Sequence, residues 1–291
     1  MSSKIQALVD TLTRHERANF LLTNRIPRRW ATSLMARFSR IEQPVVRDVS
    51  LAVWKLFAGD LHLEEARQTQ FRSLHDCFVR ELKPGARPID LDPGVVVSPC
   101  DGIVGASGII QGRELVQAKG ITYTVDELFA DLVLAREYHG GSYVTLRLTS
   151  SMYHRFHAPY DCEIDEVTYI SGDIWNVNPP ALARIERLYC KNERAVLHAR
   201  LRGSPECVTL VPVAAILVAG IYLSFLDVHL NLEHTGYRRM VCHASFQKGD
   251  ELGHFRHGST IIAFATSGLD LVDGIVPGHT IRMGQPLFRH R

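Results

Sequence analysis

The chain lacks the features that mark several common protein classes. Its six cysteines form no CxxC pair and follow no zinc-finger spacing, so neither a redox motif nor a structural zinc site is indicated. No secretory signal opens the chain, because Lys4 is followed by an amphipathic segment and not by a wholly apolar one. The sequence also contains no low-complexity tract and no GxSxG nucleophile motif. Free thiols in a reducing cytosol are therefore the expectation.

What the chain does have is the composition of a soluble globular protein, with 291 residues of which 46% are apolar and 22% charged. The net charge is only +2, but it is unevenly distributed. Residues 1–47 contain nine Lys/Arg and three Asp/Glu. This basic N-terminal arm predicts an anionic partner, either a membrane surface or a nucleic acid.

One long apolar run, residues 209–226 (TLVPVAAILVAGIYLSFL), has the length and lack of charge of a membrane span. It also contains Pro212 and Gly220 and is rich in Val and Ile. These features favour two buried strands, joined near Ala219 and Gly220, over a single transmembrane helix.

The first 85 residues are predicted to be mainly helical. In residues 28–43 the apolar side chains recur at helical spacing. A second helix is expected in residues 48–60, ending at Gly59, and a capping box at Ser73 and Asp76 indicates a third over residues 73–82. This arm either covers the main domain or lies on anionic lipid as a pair of interfacial helices.

From about residue 95 the sequence consists of β-branched runs separated by Gly, Pro and Asp. The predicted fold class is therefore α+β, with an N-terminal helical arm followed by a mostly antiparallel β domain that resembles a sandwich or a partly closed barrel. The closing segment, residues 274–288, has the glycine spacing of a β-hairpin.

Three places contain residues suited to chemistry. Asp101 lies in SPCDGIVG, where Asp-Gly is also a favoured hairpin turn. His154 and His157 lie in MYHRFHAPYD. On a helical turn these two would share a face and could bind a metal with Cys162 or Asp161, but each could equally be a structural histidine or a general base.

The third place is Gly258-Ser259-Thr260, between a polar stretch and a buried apolar run. Small residues make turns, yet a Ser hydroxyl becomes a nucleophile when a base removes its proton. Asp101, His157 and Ser259 have the residue types of a catalytic triad. Their spacing along the chain does not decide the matter, because triads assemble in space.

Nine segments resemble, in order, the phosphatidylserine decarboxylase family in its proenzyme form. The match covers most of the chain, and nine segments in register make it highly specific. They are FVRELKPGARPID, SPCDGIV, QAKGITYTVDELF, YHRFHAPYD, SGDIWNVNP, LYCKNERAV, VPVAAILVAGI, KGDELGHFRHGST and MGQPL.

The resemblance implies that the chain cuts itself. Ser259 would attack the carbonyl of Gly258, converting the peptide to an ester that eliminates to leave a new C-terminus. The remaining dehydroalanine is hydrolysed by water, releasing ammonia, and becomes a pyruvoyl group. Asp101 and His157 would form the base system for the self-cleavage. The products would be a β chain (1–258) and an α chain (259–291). The expected domains are a helical membrane-associating region (1–85) and a β-rich catalytic domain (86–291), and the cleavage site lies in the second.

The resemblance also implies the reaction. The amine of phosphatidylserine would form a Schiff base with the pyruvoyl group, a covalent cofactor derived from Ser259 that acts as an electron sink. Carbon dioxide leaves, and reprotonation and hydrolysis release phosphatidylethanolamine, a step of phospholipid biosynthesis. His154 and His157 match the family's YHRxHxP pattern. We assign His154 to decarboxylation and His157 to maturation.

The implied partner is phosphatidylserine in an anionic membrane, with no nucleic acid, and the implied location is peripheral on the cytoplasmic face of the cell membrane. The α and β chains are expected to stay associated, and the protein could also form a homodimer. Two regions depart from the family. His257 replaces the usual large apolar residue, and residues 226–247 match poorly.

Three other functions fit the same residues. A serine hydrolase could use Asp101, His157 and Ser259 without self-cleavage. A lipid-binding scaffold would use Gly258-Ser259-Thr260 only as a turn. A related pyruvoyl enzyme could act on another amino-acid head group or on a free amino acid.

Overall fold

A computed structural model of the chain describes residue 20 and residues 27–216, 220–230, 236–256 and 259–291. The first two helices whose bounds lie in the described residues are α1 (Arg28–Phe38) and α2 (Pro44–Ala58). The second ends at Gly59, whose φ of +79° suits a residue without a side chain and whose N–H bonds the carbonyl of Lys55. Both predicted helices are confirmed.

A short 3-10 helix (Leu63–Glu65) and α3 (Leu74–Phe78) follow. The predicted cap is confirmed, since the Ser73 hydroxyl accepts a hydrogen bond from the Asp76 N–H at 3.2 Å. The prediction of helix as far as residue 82 is wrong. The chain leaves the helix at Val79, whose carbonyl accepts hydrogen bonds from the Arg155 guanidinium at 2.8 and 3.0 Å.

Beyond α3, the described residues form strands with four short helices between them. The helices are α4 (Val125–Phe129), α5 (Leu132–Glu137), α6 (Pro179–Leu182) and α7 (Leu188–Lys191). The strands are β1 (Val95–Val97), β2 (Gly102–Ile109), β3 (Glu114–Ala118), β4 (Ile121–Thr124), β5 (Ser142–Arg147), β6 (Arg155–His157), β7 (Cys162–Ile170), β8 (Arg194–Leu201), β9 (Cys207–Val213), β10 (Ile221–Leu223), β11 (Val228–Leu230), β12 (Tyr237–Phe246), β13 (Glu251–Phe255), β14 (Thr260–Ala265), β15 (Leu269–Leu271), β16 (Thr280–Ile281) and β17 (Pro286–His290).

An eight-stranded antiparallel sheet dominates, in the order β12-β7-β8-β9-β14-β5-β2-β16. Three smaller sheets accompany it, β11-β10-β13-β6, β1-β17-β15 and β3-β4. The large sheet is open, with β12 and β16 at its edges. The α+β class, with helices first and antiparallel strands after them, is confirmed, and the strands in the described residues form no closed barrel.

The apolar run at residues 209–226 contains two strands, as predicted, and Ala219 at the predicted junction lies outside the described residues. Its first part lies in β9 of the large sheet and its second part contains β10 of the four-stranded sheet. Of the helices in the described ranges, none is both long enough and apolar enough to cross a membrane.

The predicted C-terminal hairpin is wrong. β16 pairs with β2, whereas β17 pairs with β1 and β15. The loop between them is fixed to a distant segment, because the Met283 N–H donates to Asp101 and the Ser98 N–H donates to the Gln285 carbonyl. These contacts separate the two strands into different sheets.

β14 is the most enclosed strand of the large sheet. All six of its residues are buried, and it runs antiparallel between β5 and β9. Its first residue, Thr260, pairs with Arg147 at the end of β5 and with Val213 at the end of β9. The residue before β14 therefore lies where two neighbouring strands leave the sheet.

Candidate active site

Ser259 occupies that position and is fully buried. Its carbonyl accepts a hydrogen bond from the Leu148 N–H at 2.8 Å, which extends the ladder between β5 and β14 by one residue. No residue in the described ranges gives its hydroxyl a hydrogen-bond partner. A buried hydroxyl without a hydrogen-bond partner lowers the free energy of unfolding by about 1–3 kcal/mol. His257 and Gly258, on the other side of the predicted cleavage site, lie outside the described residues.

Asp101 lies at the same end of the large sheet. It directly precedes β2, where Ile103 pairs with Arg147, which in turn pairs with Thr260. Asp101 and Ser259 therefore flank β5 on either side. Two strand spacings of about 4.8 Å put their backbones roughly 10 Å apart.

The Asp101 carboxylate is buried in an ion-pair network. The Arg87 guanidinium donates to its two oxygens at 2.8 and 2.6 Å, and the Met283 N–H donates at 2.9 Å. Arg87 also pairs with Glu65 at 2.8 Å. This bidentate geometry fixes the plane of the carboxylate at the start of β2.

His157 ends β6, and its backbone N–H donates to the Pro99 carbonyl, two residues before Asp101. Its Nδ1 lies 2.9 Å from the Gly249 carbonyl, which can only accept, so Nδ1 carries the proton. Nε2 therefore has the lone pair and accepts from the Tyr153 hydroxyl at 3.0 Å. Burial lowers the pKa of His157, which keeps the ring neutral at pH 7.

The structure thus brings the segments of Asp101, His157 and Ser259 to one end of the sheet without joining their side chains. Through the described residues no hydrogen bond links Asp101 to His157 or His157 to Ser259. The Gly249 carbonyl orients the imidazole in the way that a triad carboxylate would. The assignment of these residues to a base system stays a prediction.

His154 is buried just before β6, with its ring 4.0 Å from the Phe78 ring, centroid to centroid. The alternative that His154 and His157 share a helical face as a metal pair is wrong. The segment is extended, and residues three apart in an extended chain point to opposite sides.

Sequence reasoning missed Arg87 and Tyr153 as parts of this site. Arg87 lies in KPGARPID and Tyr153 in MYHRFH, both within the segments that resemble the family. The partner of Arg87, Asp101, lies 14 residues further along the chain, whereas Tyr153 contacts His157 within its own segment. The pairing of Arg87 with Asp101 became visible only in the folded chain.

A cavity of about 630 Å³ opens beside this end of the sheet. Helices α1 and α2 form one wall, and the residues that follow β5 and β9 form the other. The lining is mainly apolar and comprises Met35, Phe38, Val49, Ser50, Val53, Trp54, Phe57, Leu74, Phe78, Arg147, Leu148, Thr149, Ser150, Asn176, Val177, Asn178, Ala215 and Ile216. Leu148 connects it to Ser259 through their backbone hydrogen bond.

Two further histidines near this site make the fold sensitive to acid. Burial, together with cationic neighbours, lowers the pKa of His254 to about 3 and that of His75 to about 4. Both values lie below the unfolded value of about 6.5, so the stabilisation is complete above pH 6.5 and is lost as the pH falls toward 4.

We therefore expect the melting temperature to be constant from pH 7 to 8 and to fall below pH 6.5, each histidine contributing at most about 1.4 kcal/mol per pH unit. His254→Gln should make the fall shallower, whereas His139→Gln, at an exposed position, should not. Thermal melts from pH 4.5 to 8 measure this. An equal fall in all three proteins would contradict the assignment.

Comparison with known proteins gives a consistent result. The family model described as phosphatidylserine decarboxylase matches residues 74–289. A phosphatidylserine decarboxylase proenzyme of Myxococcus xanthus is 36% identical over 251 residues, covering 83% of this chain and 88% of the relative. Proenzymes of the same name from Brevibacillus brevis and Xanthomonas axonopodis are 33% and 30% identical, covering 80% and 93% of this chain and 84% and 98% of the relatives.

Proposed function

The chain belongs to the phosphatidylserine decarboxylase family and is a carboxy-lyase, and on this premise we propose that it converts phosphatidylserine to phosphatidylethanolamine and carbon dioxide. The proposal includes self-cleavage between Gly258 and Ser259. It also includes a pyruvoyl group formed from Ser259.

The observation that carries this proposal is the buried Ser259 hydroxyl without a partner in the described residues. A structural serine at a turn would bond a nearby backbone group. A hydroxyl that reacts with its own preceding carbonyl needs no such partner, and burial keeps water from competing. These properties also suit residue 259 to hold the prosthetic group that cleavage would leave there.

His157 is proposed to take the hydroxyl proton. Its ring is neutral and Nε2 bears the lone pair, so the base must exchange its contact with Tyr153 for one with the serine. Burial lowers the pKa of His157, and the nearby charges of Glu251 and Asp101 oppose that effect. Asp101 is therefore proposed to stabilise the imidazolium through space while it remains bonded to Arg87.

The pyruvoyl group would supply an electron sink for the charge released when the substrate carboxylate leaves. The chain contributes the Leu148 N–H, which donates to the carbonyl of residue 259 at 2.8 Å. Cleavage retains this oxygen, and a fixed donor there stabilises negative charge that develops on it. His154 is proposed to supply or orient the proton that replaces the carboxylate in the decarboxylation step.

Helices α1 and α2 are proposed to bring the site to the membrane surface. They expose apolar side chains at intervals of four residues, Trp30, Leu34 and Phe38 on α1 and Val45, Val49, Val53 and Phe57 on α2. Contiguous exposed apolar surface of this kind indicates a membrane or protein contact. The same helices wall the cavity, so a lipid could enter it from the bilayer.

The self-cleavage is tested by intact mass and a denaturing gel of the purified protein. We expect residues 1–258 and a 33-residue fragment from residue 259 with a blocked N-terminus. Released carbon dioxide from carboxyl-labelled phosphatidylserine measures the reaction. A whole chain that hydrolyses esters would favour the serine hydrolase instead, and a whole, inert chain would favour the scaffold.

A further inference from the structure

Arg147 is the last residue of β5 and has a half-buried guanidinium at the cavity wall. Across the described residues no ion pair and no hydrogen bond engages this guanidinium. Burial lowers its pKa, and the nearby Tyr189 side chain opposes that effect. Such a cation is costly to keep away from water unless an anion joins it.

The described residues around Arg147 supply no such anion. Among the described residues that line the cavity, Arg147 is the one charged side chain, and the rest are apolar or neutral polar. The other buried arginines near the site are engaged. Arg87 pairs with Asp101 and Glu65, and Arg80 donates to the carbonyls of Cys77, Leu61 and Ser151. Arg147 therefore differs in lining the cavity without a hydrogen-bond or ion-pair partner in the part of the chain that the structure describes.

The position of Arg147 relates it to the reacting residue. It pairs with Thr260 across β5 and β14, and its neighbour Leu148 donates to the Ser259 carbonyl. Directly paired residues have Cα atoms about 5 Å apart. An extended arginine side chain can thus hold a group that lies several ångströms from residue 259.

We propose that Arg147 binds the phosphodiester of the phospholipid head group, an assignment that rests on the proposed function. A guanidinium presents paired N–H donors that match phosphate oxygens. The apolar walls from α1 and α2 would then face the glycerol backbone and the first acyl carbons. Arg147 and these walls would together favour a diacyl phospholipid over a free amino acid, which has no phosphodiester.

The substrate has a second anion, its carboxylate, but the chemistry argues against a guanidinium there. Decarboxylation removes negative charge from the carboxylate, so a cation bound to it would stabilise the ground state more than the transition state. The phosphodiester keeps its charge throughout. Binding it lowers KM and leaves kcat nearly unchanged, and the product, which retains the phosphodiester, is bound as well.

The test compares substrate kinetics with product binding in Arg147→Met and Arg147→Lys. We expect Arg147→Met to raise KM for short-chain phosphatidylserine at least about tenfold, with kcat changed less than about threefold, since a charged hydrogen bond contributes about 1.5–3 kcal/mol. Arg147→Lys, which keeps the charge but loses the paired donors, should lie between. Arg200→Met, at an exposed position of β8, should have no effect.

Product binding is measured by calorimetry with dihexanoyl phosphatidylethanolamine on Ser259→Ala protein, with and without Arg147→Met. We expect the second change to weaken this binding by the same factor as KM. Unchanged product binding with a raised KM would assign Arg147 to the carboxylate and overturn the proposal. Because this binding measurement requires no turnover, it tests Arg147 even if the wild-type protein proves to have no decarboxylase activity.

A stability measurement excludes a purely structural role. Removing a guanidinium that has no partner among the described residues should leave the melting temperature of Arg147→Met unchanged or raise it. A lower melting temperature would mean that the guanidinium is paired within the fold, and would overturn the proposal. Arg147→Lys provides the kinetic and binding comparison if the methionine variant does not fold.

Discussion

Ser259→Ala is expected to yield one uncleaved chain of 291 residues with no decarboxylase activity. Alanine lacks the hydroxyl that must attack the Gly258 carbonyl, and without the attack no ketone can form from residue 259. Cleavage and turnover should therefore fall together to the limit of detection. A denaturing gel and the release of labelled carbon dioxide measure the two.

The same substitution should preserve or increase stability, because it removes a buried hydroxyl without a partner in the described residues. Ser107→Ala is the matched control. Ser107 lies on β2 of the same sheet, but its hydroxyl donates to the Ile275 carbonyl, so its loss should cost stability and leave cleavage intact. Normal processing and activity in Ser259→Ala would refute the proposed mechanism.

Replacing Trp30 and Leu34 together with aspartate is expected to weaken binding to anionic vesicles by about 100-fold or more. Both side chains lie on the exposed face of α1, where they are 68% and 51% exposed, and neither lines the cavity. Burying a large apolar side chain contributes about 1.5–3 kcal/mol, so loss of two exceeds this factor. Co-sedimentation with phosphatidylglycerol vesicles measures the affinity.

The control is the same double change at Leu132 and Val133, which are 54% and 74% exposed on α5. These residues are equally apolar but belong to no helix of the arm, so vesicle binding should persist. Self-cleavage in both variants reports that the β domain has folded. Equal loss of vesicle binding in the two variants would count against a specific membrane face on α1.

Signals within a few residues of sequence predicted helix ends and strand boundaries, because local contacts determine these features. Gly59 and Ser73 mark helix ends because a glycine and a hydroxyl satisfy backbone groups within one turn. Pro212 and Gly220 likewise argued against a membrane-spanning helix; Pro212 lies within β9, and Gly220 directly precedes β10. The α+β class and the order of helices and strands could be predicted from patterns of this kind, and the family from the nine segments that resemble it.

Contacts between distant segments could not be predicted. Asp101 accepts from the Met283 N–H, 182 residues away, and this contact separates β16 from β17 where the glycine spacing suggested a hairpin. The cavity combines α2 with residues after β5 and β9. Nothing in the sequence singled out Arg147, because what distinguishes it is the lack of a hydrogen-bond or ion-pair partner among the described residues.

The position of β14 has a consequence for a chain that is cut before residue 259. The shorter piece would contribute β14 to the middle of the large sheet, β16 to its edge and β17 to the centre of the three-stranded sheet. Two polypeptides would then share one core, held by backbone ladders on both sides of a six-residue strand. Once such a pair is melted apart its reassembly becomes bimolecular, so thermal midpoints would rise with protein concentration and recovery on cooling would depend on dilution.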